Sequence, residues 1–203
     1  MRAGRFIEVG AAGLMSLLIV AGTANAQPIA DEQPPAELAA EVTAATLAAE
    51  AGGTGPYRAT MISEPSLATH TIYRPVVFPK AKLPVVVWGN GACANIGNRF
   101  RYYLTEIASH GYLIVAVGPR GPSVVEWKVN LANQSGPPPA GAPAASDAAQ
   151  LIDAMNWAVA QNALKSSPYH NRLDTQHIAV MGQSCGGLQA ISAAADPRVT
   201  TAM

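Results

Sequence analysis

The chain has 203 residues, enough for one domain with a sizeable hydrophobic core. Its 13 basic and 13 acidic side chains balance, so the composition lacks the basic excess typical of nucleic-acid-binding proteins. Charged residues make up only 13% of the chain, partly because the N-terminus is apolar and alanine is frequent. We therefore expect no nucleic-acid partner.

Residues 1–26 have the pattern of a secretory signal peptide. Arg2 and Arg5 form a positive segment at its start. An apolar run over residues 10–22 follows, and the small residues at 24–26 form a cleavage site. A membrane anchor is the alternative, but the run is short for a membrane span and no cysteine follows it for lipid attachment. We predict a secreted or periplasmic protein with no stable membrane anchor after cleavage.

Residues 27–55 are predicted to form an N-terminal extension. Its first residues are polar and include proline. A helix is expected over residues 36–50, because alanine and glutamate favour it and Gly52 and Gly53 end it. The apolar face of this helix is thin, so we expect it to lie on the surface.

The rest of the chain alternates between strand and helix patterns. The predicted strands are 57–62, 67–73, 84–88, 112–117 and 177–181, with a last one opening at 199–203. The predicted helices are 100–109, 146–163 and a third that follows Ser184. The continuous apolar runs at 84–88 and 112–117 indicate strands covered by helices on both faces. Ser146 is expected to cap the second helix.

The connection over residues 118–145 is rich in glycine, proline and serine and is too long for an ordinary link. A loop of this kind at the carboxyl edge of a sheet usually shapes a substrate cleft. Trp127 and Lys128 either line that cleft or hold the loop in place, and the sequence favours neither.

Residues 176–195 carry the motif most directly linked to chemistry. An apolar run is followed by G-x-S-x-G over Gly182–Gly186 and then by an alanine-rich helical segment. Ser184 on such a strand–turn–helix bend has its hydroxyl held clear of the sheet, and the flanking glycines let strand and helix approach. The N–H of Cys185 starts the helix, where it can stabilise an oxyanion. The alternative is a glycine-rich turn that serves packing alone.

Four stretches carry a family resemblance: residues 71–75, 84–91, 108–112 and 182–187. They resemble secreted α/β-hydrolases related to dienelactone hydrolases, chlorophyllases and bacterial polyester hydrolases. The resemblance implies an α/β-hydrolase fold over residues 56–203, with a mainly parallel, doubly wound sheet. It places the strands predicted at 57–62 and 67–73 at an antiparallel edge of that sheet.

The resemblance also implies the parts of a serine esterase site. In these hydrolases the oxyanion is held by the N–H after the nucleophile and by an N–H from an earlier strand-ending loop. Here the two groups are the N–H of Cys185 and that of Ala92, with Asn90 and Gly91 in place of the family's His-Gly pair. An ordinary Asn-Gly turn is the alternative for that loop. No cofactor or metal is implied, since the glycine-rich turn carries a serine rather than a phosphate-binding pattern.

In this family the catalytic acid and then the histidine follow the nucleophile along the chain. After Ser184 the sequence has one acid, Asp196, and no histidine. Asp196 lies at the far end of the following helix, well over 10 Å from the serine at about 1.5 Å per residue. The chain's histidines all precede the serine: His70, His110, His170 and His177. We therefore expect residues 56–203 to be a partial domain without its C-terminal strands, an inactive N-terminal piece of a longer enzyme.

The sequence therefore predicts a serine hydrolase in which Ser184 attacks a small-molecule or polymeric carboxylic ester. The competing hypothesis is a hydrolase-like domain without activity that binds a ligand or partner in the former cleft. The sequence does not indicate which ester is the substrate, because hydrolases of different esters share these motifs.

The two cysteines flank the predicted oxyanion loops. Two segments that form one oxyanion hole must lie close together, so a disulfide between Cys93 and Cys185 is geometrically feasible. Such a bridge would fix the relative position of the two N–H donors. Two buried small apolar side chains are the alternative. A third hypothesis makes Cys185 the nucleophile, but the bend exposes Ser184 instead.

Overall fold

The computed structural model describes Ala48, residues 51–121 and residues 145–203. The predicted signal peptide and nearly all of the helix predicted over 36–50 lie outside this part of the chain. So does most of the 118–145 connection, including the tryptophan and lysine considered for its cleft. What the sequence indicates for those segments stays a prediction.

One mixed sheet of six strands forms the centre of the described residues, in the order β1-β2-β4-β3-β5-β6. The strands are β1 (Ala59–Ser63), β2 (His70–Pro75), β3 (Leu83–Gly89), β4 (Leu113–Val117), β5 (Leu173–Gly182) and β6 (Val199–Ala202). β2 pairs antiparallel with both β1 and β4, whereas the other pairings are parallel. The predicted α/β fold with an antiparallel edge is therefore confirmed.

Helices cover both faces of this sheet. Within the described ranges they are α1 (Arg101–Ser109), α2 (Ala148–Ala163) and α3 (Cys185–Ala193). Neighbouring residues of β3 face opposite sides, because side chains along a strand have a period of two. Val85 and Val87 belong to the buried cluster that includes residues of α2 and α3. Val86 and Trp88 belong to a second cluster with residues of α1, so the central strands are buried on both faces, as their continuous apolar runs predict.

None of the helices in the described ranges combines the length and the apolar character that a membrane crossing requires. The longest is α2, and one of its faces is buried against the sheet while Asp153 and Asn156 on another face are exposed. Its pattern is that of an amphipathic helix at the surface of a domain.

The start of α2 differs from the prediction. Asp147, not Ser146, caps the helix, because its carboxylate accepts a hydrogen bond from the Gln150 N–H at 3.2 Å. The Gln150 side chain accepts from the Asp147 N–H at 3.1 Å, which completes a capping box. Ser146 is buried instead, and its carbonyl oxygen accepts a hydrogen bond from Gln189 of α3 at 2.7 Å.

The largest differences in strand boundaries are at the starts of β2 and β5. β2 starts only at His70, because Pro65–Leu67 forms a 3-10 turn in front of it. β5 starts at Leu173, four residues before the predicted strand. Its pairing with β3 shifts register at Val85, which leaves residues 175–177 outside the ladder and breaks the alternation that would have indicated a strand.

Candidate active site

Ser184 lies at the bend where β5 ends and α3 begins, as the sequence predicts. Its backbone has φ 54° and ψ −118°, a region that residues other than glycine rarely occupy. The residue is exposed, and its hydroxyl makes no hydrogen bond to any residue that the structure describes. The bend therefore presents an accessible hydroxyl at the carboxyl edge of the sheet.

Glycines flank this bend because the backbones of β3, β5 and α3 meet there. A Cβ on Gly182 would clash with the carbonyl oxygen of Gly186, and a Cβ on Gly186 would clash with that of Gly89. A Cβ on Gly89 would lie only 2.8 Å from the Gly186 oxygen. The prediction that the two motif glycines let strand and helix approach is confirmed.

The second predicted loop follows β3 and forms a 3-10 turn over Gly91–Cys93. Ala92 and Cys93 both have left-handed backbones, with φ of 55° and 48°. Such conformations cost energy for residues with a Cβ and persist where surrounding contacts hold them. Of the four non-glycine residues with positive φ in the described ranges, three belong to this turn and to the Ser184 bend. Backbone strain is thus concentrated at two loops.

Asn90 anchors the second loop. Its side chain is fully buried, and Nδ2 donates to the carbonyl oxygens of Ala94 and Ile96 at 3.1 Å and of Val117 at 2.8 Å. Its Oδ1 accepts a hydrogen bond from Trp88 Nε1 at 3.0 Å. Because these partners include the last residue of β4, the amide holds the loop against two neighbouring strands.

The two loops lie directly against each other. Gln183 donates its backbone N–H to the Gly89 carbonyl oxygen at 3.2 Å. A disulfide joins Cys93 to Cys185, with their Cα atoms 5.3 Å apart. The question that the sequence leaves open is thereby answered, because neither cysteine is free.

The main-chain N–H groups of Ala92 and Cys185 have no hydrogen-bond acceptor among the described residues. Ala92 is exposed, and Cys185 is the first residue of α3. The first N–H groups of a helix have no partner within it and carry the positive end of the helix dipole. Both groups are thus available to an acceptor from outside the chain.

The four histidines all fall in the described ranges, and each has a partner other than Ser184. His70 is buried with Nε2 2.9 Å from the Gln150 carbonyl oxygen, and burial lowers the pKa of its imidazole. This contact joins β2 to α2. The remaining rings bond as follows: His110 to Glu106, His170 to Asn162 and His177 to Asp174.

Asp196 also forms its hydrogen bonds with a residue other than Ser184. Its carboxylate accepts from the Arg198 side chain at 2.8 Å and 2.7 Å and from the Arg198 N–H at 3.0 Å. These hydrogen bonds lower the pKa of Asp196 to about 2. Among residues the structure describes, no imidazole or carboxylate bonds to Ser184, and no group of three or more metal-ligand side chains occurs.

Two further residues hold the loops, and the sequence motifs do not include them. Gln189 is buried one turn after Cys185, and besides the Ser146 carbonyl it reaches the Cys185 sulfur at 3.8 Å. A lone glutamine in a helix of small residues is the signal that could have indicated it. Arg99 donates from Nη1 to the Gly91 carbonyl oxygen at 2.9 Å, and burial lowers the pKa of its guanidinium. No sequence pattern indicates this contact.

The strand order, the antiparallel edge and the serine bend together define an α/β-hydrolase fold. Residues 139–203 match the family described as PETase, PET hydrolase-like. The matched segment contains α2, β5, the bend and α3. The α/β-hydrolase fold and this match over residues 139–203 agree with the polyester hydrolase-like resemblance that the sequence indicates. No curated protein matches the chain significantly.

Proposed function

We propose that this protein hydrolyses carboxylic esters with Ser184 as the nucleophile. The observation that carries the proposal is the backbone of Ser184, which is strained and exposed between a strand and a helix. Strain of this kind clusters at functional sites, where the surrounding structure maintains it. The match of residues 139–203 to a PET hydrolase-like family supports an ester as the substrate.

In the proposed reaction the Ser184 oxygen attacks the ester carbonyl carbon, and the serine proton passes to a base. The carbonyl oxygen becomes an oxyanion and accepts hydrogen bonds from the N–H groups of Ala92 and Cys185. Collapse of this intermediate breaks the bond to the alcohol, which leaves with a proton, and forms an acyl-serine. Water then attacks the acyl-serine by the same steps and releases the carboxylic acid.

Two main-chain donors suit this role because they are in place before the charge develops. Removing one donor from an oxyanion hole typically lowers kcat by about 10²- to 10³-fold. The Cys185 N–H also lies at the positive end of the α3 dipole. The disulfide and the glycine contacts keep the two loops together without any rearrangement during the reaction.

The proposed reaction needs a general base. The four histidines of this chain do not supply it, because each bonds to a residue other than Ser184. A serine hydroxyl without a base is a weak nucleophile near neutral pH. We therefore infer that the 203-residue polypeptide shows no measurable ester turnover and reacts only stoichiometrically with strong electrophiles. Added imidazole should accelerate that reaction, because Ser184 is exposed and a free base can reach its proton.

The proposed substrate is a small or polymeric carboxylic ester, encountered in the periplasm or outside the cell. The signal-peptide pattern of residues 1–26 supports export. An exported hydrolase meets polymeric esters that a cell cannot take up, and the PET hydrolase-like match is consistent with this class.

The test is covalent labelling with a fluorophosphonate, in which the serine oxygen attacks phosphorus and fluoride leaves. The purified protein is incubated with the reagent with and without imidazole, and the adduct is located by peptide mass spectrometry. We expect one adduct, at Ser184, formed faster with imidazole, and none in Ser184→Ala. An adduct pattern that is unchanged in Ser184→Ala would overturn the proposal.

A second candidate function is ligand binding without turnover, favoured by the lack of a base bonded to Ser184 among the described residues. The labelling experiment separates the two functions when it is combined with a titration of a soluble aromatic ester. Saturable binding of the intact ester together with unlabelled Ser184 would support the binding domain. Labelling that the same ester slows by competition would support the hydrolase.

A further inference from the structure

We propose that the Cys93–Cys185 disulfide positions the two oxyanion donors, so that reaction at Ser184 depends on the redox state of the bridge. This inference rests on the proposed function. The peptide N–H of Cys185 is one donor, and Ala92, which precedes Cys93, supplies the other. The bridge therefore joins one donor residue to the neighbour of the other, with a Cα separation of 5.3 Å.

The geometry of the loop indicates why a covalent link matters there. Ala92 and Cys93 are held at positive φ, which residues with a Cβ leave when nothing maintains it. Asn90 Nδ2 donates to the carbonyl oxygens of residues 94, 96 and 117, and Arg99 Nη1 donates to the Gly91 carbonyl oxygen. None of these bonds involves the Ala92 N–H. Without the bridge, the donor peptide can rotate while the rest of the loop stays in place.

Other contacts indicate that the fold survives loss of the bridge. The Cys93 carbonyl oxygen accepts from the Ser146 N–H at 2.8 Å, and the Ser146 carbonyl accepts from Gln189 of α3 at 2.7 Å. This polar path links the same two segments through the buried Ser146, which precedes the cap of α2. Reduction should therefore let the peptide that carries the Ala92 N–H rotate, while the two segments that bear the cysteines stay together.

The redox step needs a dithiol reductant. One thiolate attacks a sulfur of the bridge and forms a mixed disulfide, and the second thiol of the reagent then displaces the remaining cysteine. The protein gains two electrons and two protons as two thiols, and the reagent leaves as a cyclic disulfide. A mild oxidant reverses the change.

The experiment measures the fluorophosphonate reaction at Ser184 in oxidised, reduced and reoxidised protein, with imidazole present. We expect reduction to lower kinact by about 10-fold with KI unchanged, since a displaced donor weakens transition-state stabilisation rather than reagent binding. Reoxidation should restore kinact. The double variant Cys93→Ala, Cys185→Ala should match the reduced protein whether or not a reductant is added.

A control variant lowers the stability of the protein without changing either loop. Met155→Ala creates a cavity in the fully buried face of α2 and lowers the melting temperature. All rates are measured well below the lowest melting temperature, because reduction of a bridge that spans 92 residues also lowers stability. We expect Met155→Ala to keep the wild-type kinact.

The outcomes separate this inference from the proposed function. No adduct at Ser184 in the oxidised protein would overturn the proposed function and this inference with it. Labelling at equal kinact in the oxidised and reduced forms would overturn the positioning role alone. An equal fall of kinact in Met155→Ala would also overturn it, because the effect would then follow from stability.

Discussion

The carboxyl edge of β3 and β5 and the antiparallel edge formed by β1 and β2 are built in opposite ways. At the carboxyl edge, backbone lies against backbone, and Gly89, Gly182 and Gly186 leave no room for a Cβ. The adjoining Ala92 and Ser184 have positive φ. Bonds and contacts from several elements hold this strained arrangement in place.

The antiparallel edge has no residue of β1 or β2 with positive φ, and the buried polar side chains of His70 and Tyr73 are paired. His70 Nε2 lies 2.9 Å from the Gln150 carbonyl oxygen, and the Tyr73 hydroxyl donates to the Gly97 carbonyl oxygen at 2.9 Å. Burial raises the pKa of the Tyr73 phenol, so the hydroxyl remains a donor. Hydrogen bonds and close packing stabilise this region without backbone strain.

The comparison teaches that positive-φ strain in the described residues is concentrated where we propose chemistry, with Asn171 as the one further non-glycine example. Removing strain at the carboxyl edge should therefore stabilise the protein and abolish reactivity together. At the antiparallel edge, stability should instead depend on the protonation state of a buried side chain. The predictions below test this contrast, from the largest expected effect to the smallest.

The largest effect is expected from Gly186→Ala. The new Cβ would clash with the Gly89 carbonyl oxygen, which belongs to the central strand and cannot move alone. We expect a loss of about 3 kcal/mol in the free energy of unfolding, the upper range for overpacking. Urea denaturation followed by circular dichroism measures it.

Gly187→Ala is the matched control for that substitution. A Cβ at Gly187 meets the Gly182 carbonyl oxygen at 3.4 Å, an ordinary contact, and its φ is not positive. Because alanine favours a helix more than glycine, we expect a gain of about 0.5–1 kcal/mol. If both alanine variants lost the same stability, the close approach of the backbones would not be the cause.

A smaller effect is expected from Ser184→Gly. Glycine adopts φ 54° and ψ −118° without strain, so the free energy of unfolding should rise by about 1 kcal/mol. Ser184→Ala keeps a Cβ and should leave stability nearly unchanged. Both variants should lose fluorophosphonate labelling. Equal stabilities of the two variants in urea denaturation would contradict the claim that this backbone is strained.

The smallest effect is a pH dependence at the antiparallel edge. Burial lowers the pKa of His70 below its ordinary 6.5, so the folded protein binds the proton less readily than the unfolded chain. The stability from the neutral ring is complete above pH 6.5 and is lost as the pH falls from there toward the lowered pKa. The slope is at most about 1.4 kcal/mol per pH unit.

Denaturation between pH 8 and pH 5 measures this slope. His70→Asn, which has no titrating ring, should show a flatter curve over that range. The nearby Asp153 carboxylate opposes the shift, because its charge favours the protonated imidazole. Parallel curves for the two proteins would mean that the buried imidazole is not the source of the pH dependence.

Local patterns predicted the centre of the fold well. The runs at 84–88 and 112–117 correspond to β3 and β4 within one residue at each end, because a strand buried on both faces needs a continuous apolar run. The antiparallel edge followed from the family resemblance. The start of β5 was missed, since its polar residues 175–177 lie outside the ladder.

The candidate site was predicted in part. The bend at Ser184 is encoded by glycines within two residues, and the structure places it between β5 and α3 as expected. The Asp147 cap was missed because Ser146 is an equally good capping residue by type, and only its burial against α3 removes it from that role. The labelling experiments test the roles that we propose for Ala92 and Cys185.

By itself, the sequence determined which segments are buried strands and where the serine bend lies, because those features depend on neighbours a few residues apart. Only the tertiary structure decided that Cys93 bonds to Cys185 and that Asn90 and Gln189 anchor the loops beside the serine. It also decided that every histidine bonds elsewhere. Contacts of this kind join segments that are distant in sequence, and they are set by how the strands and helices pack rather than by any local pattern.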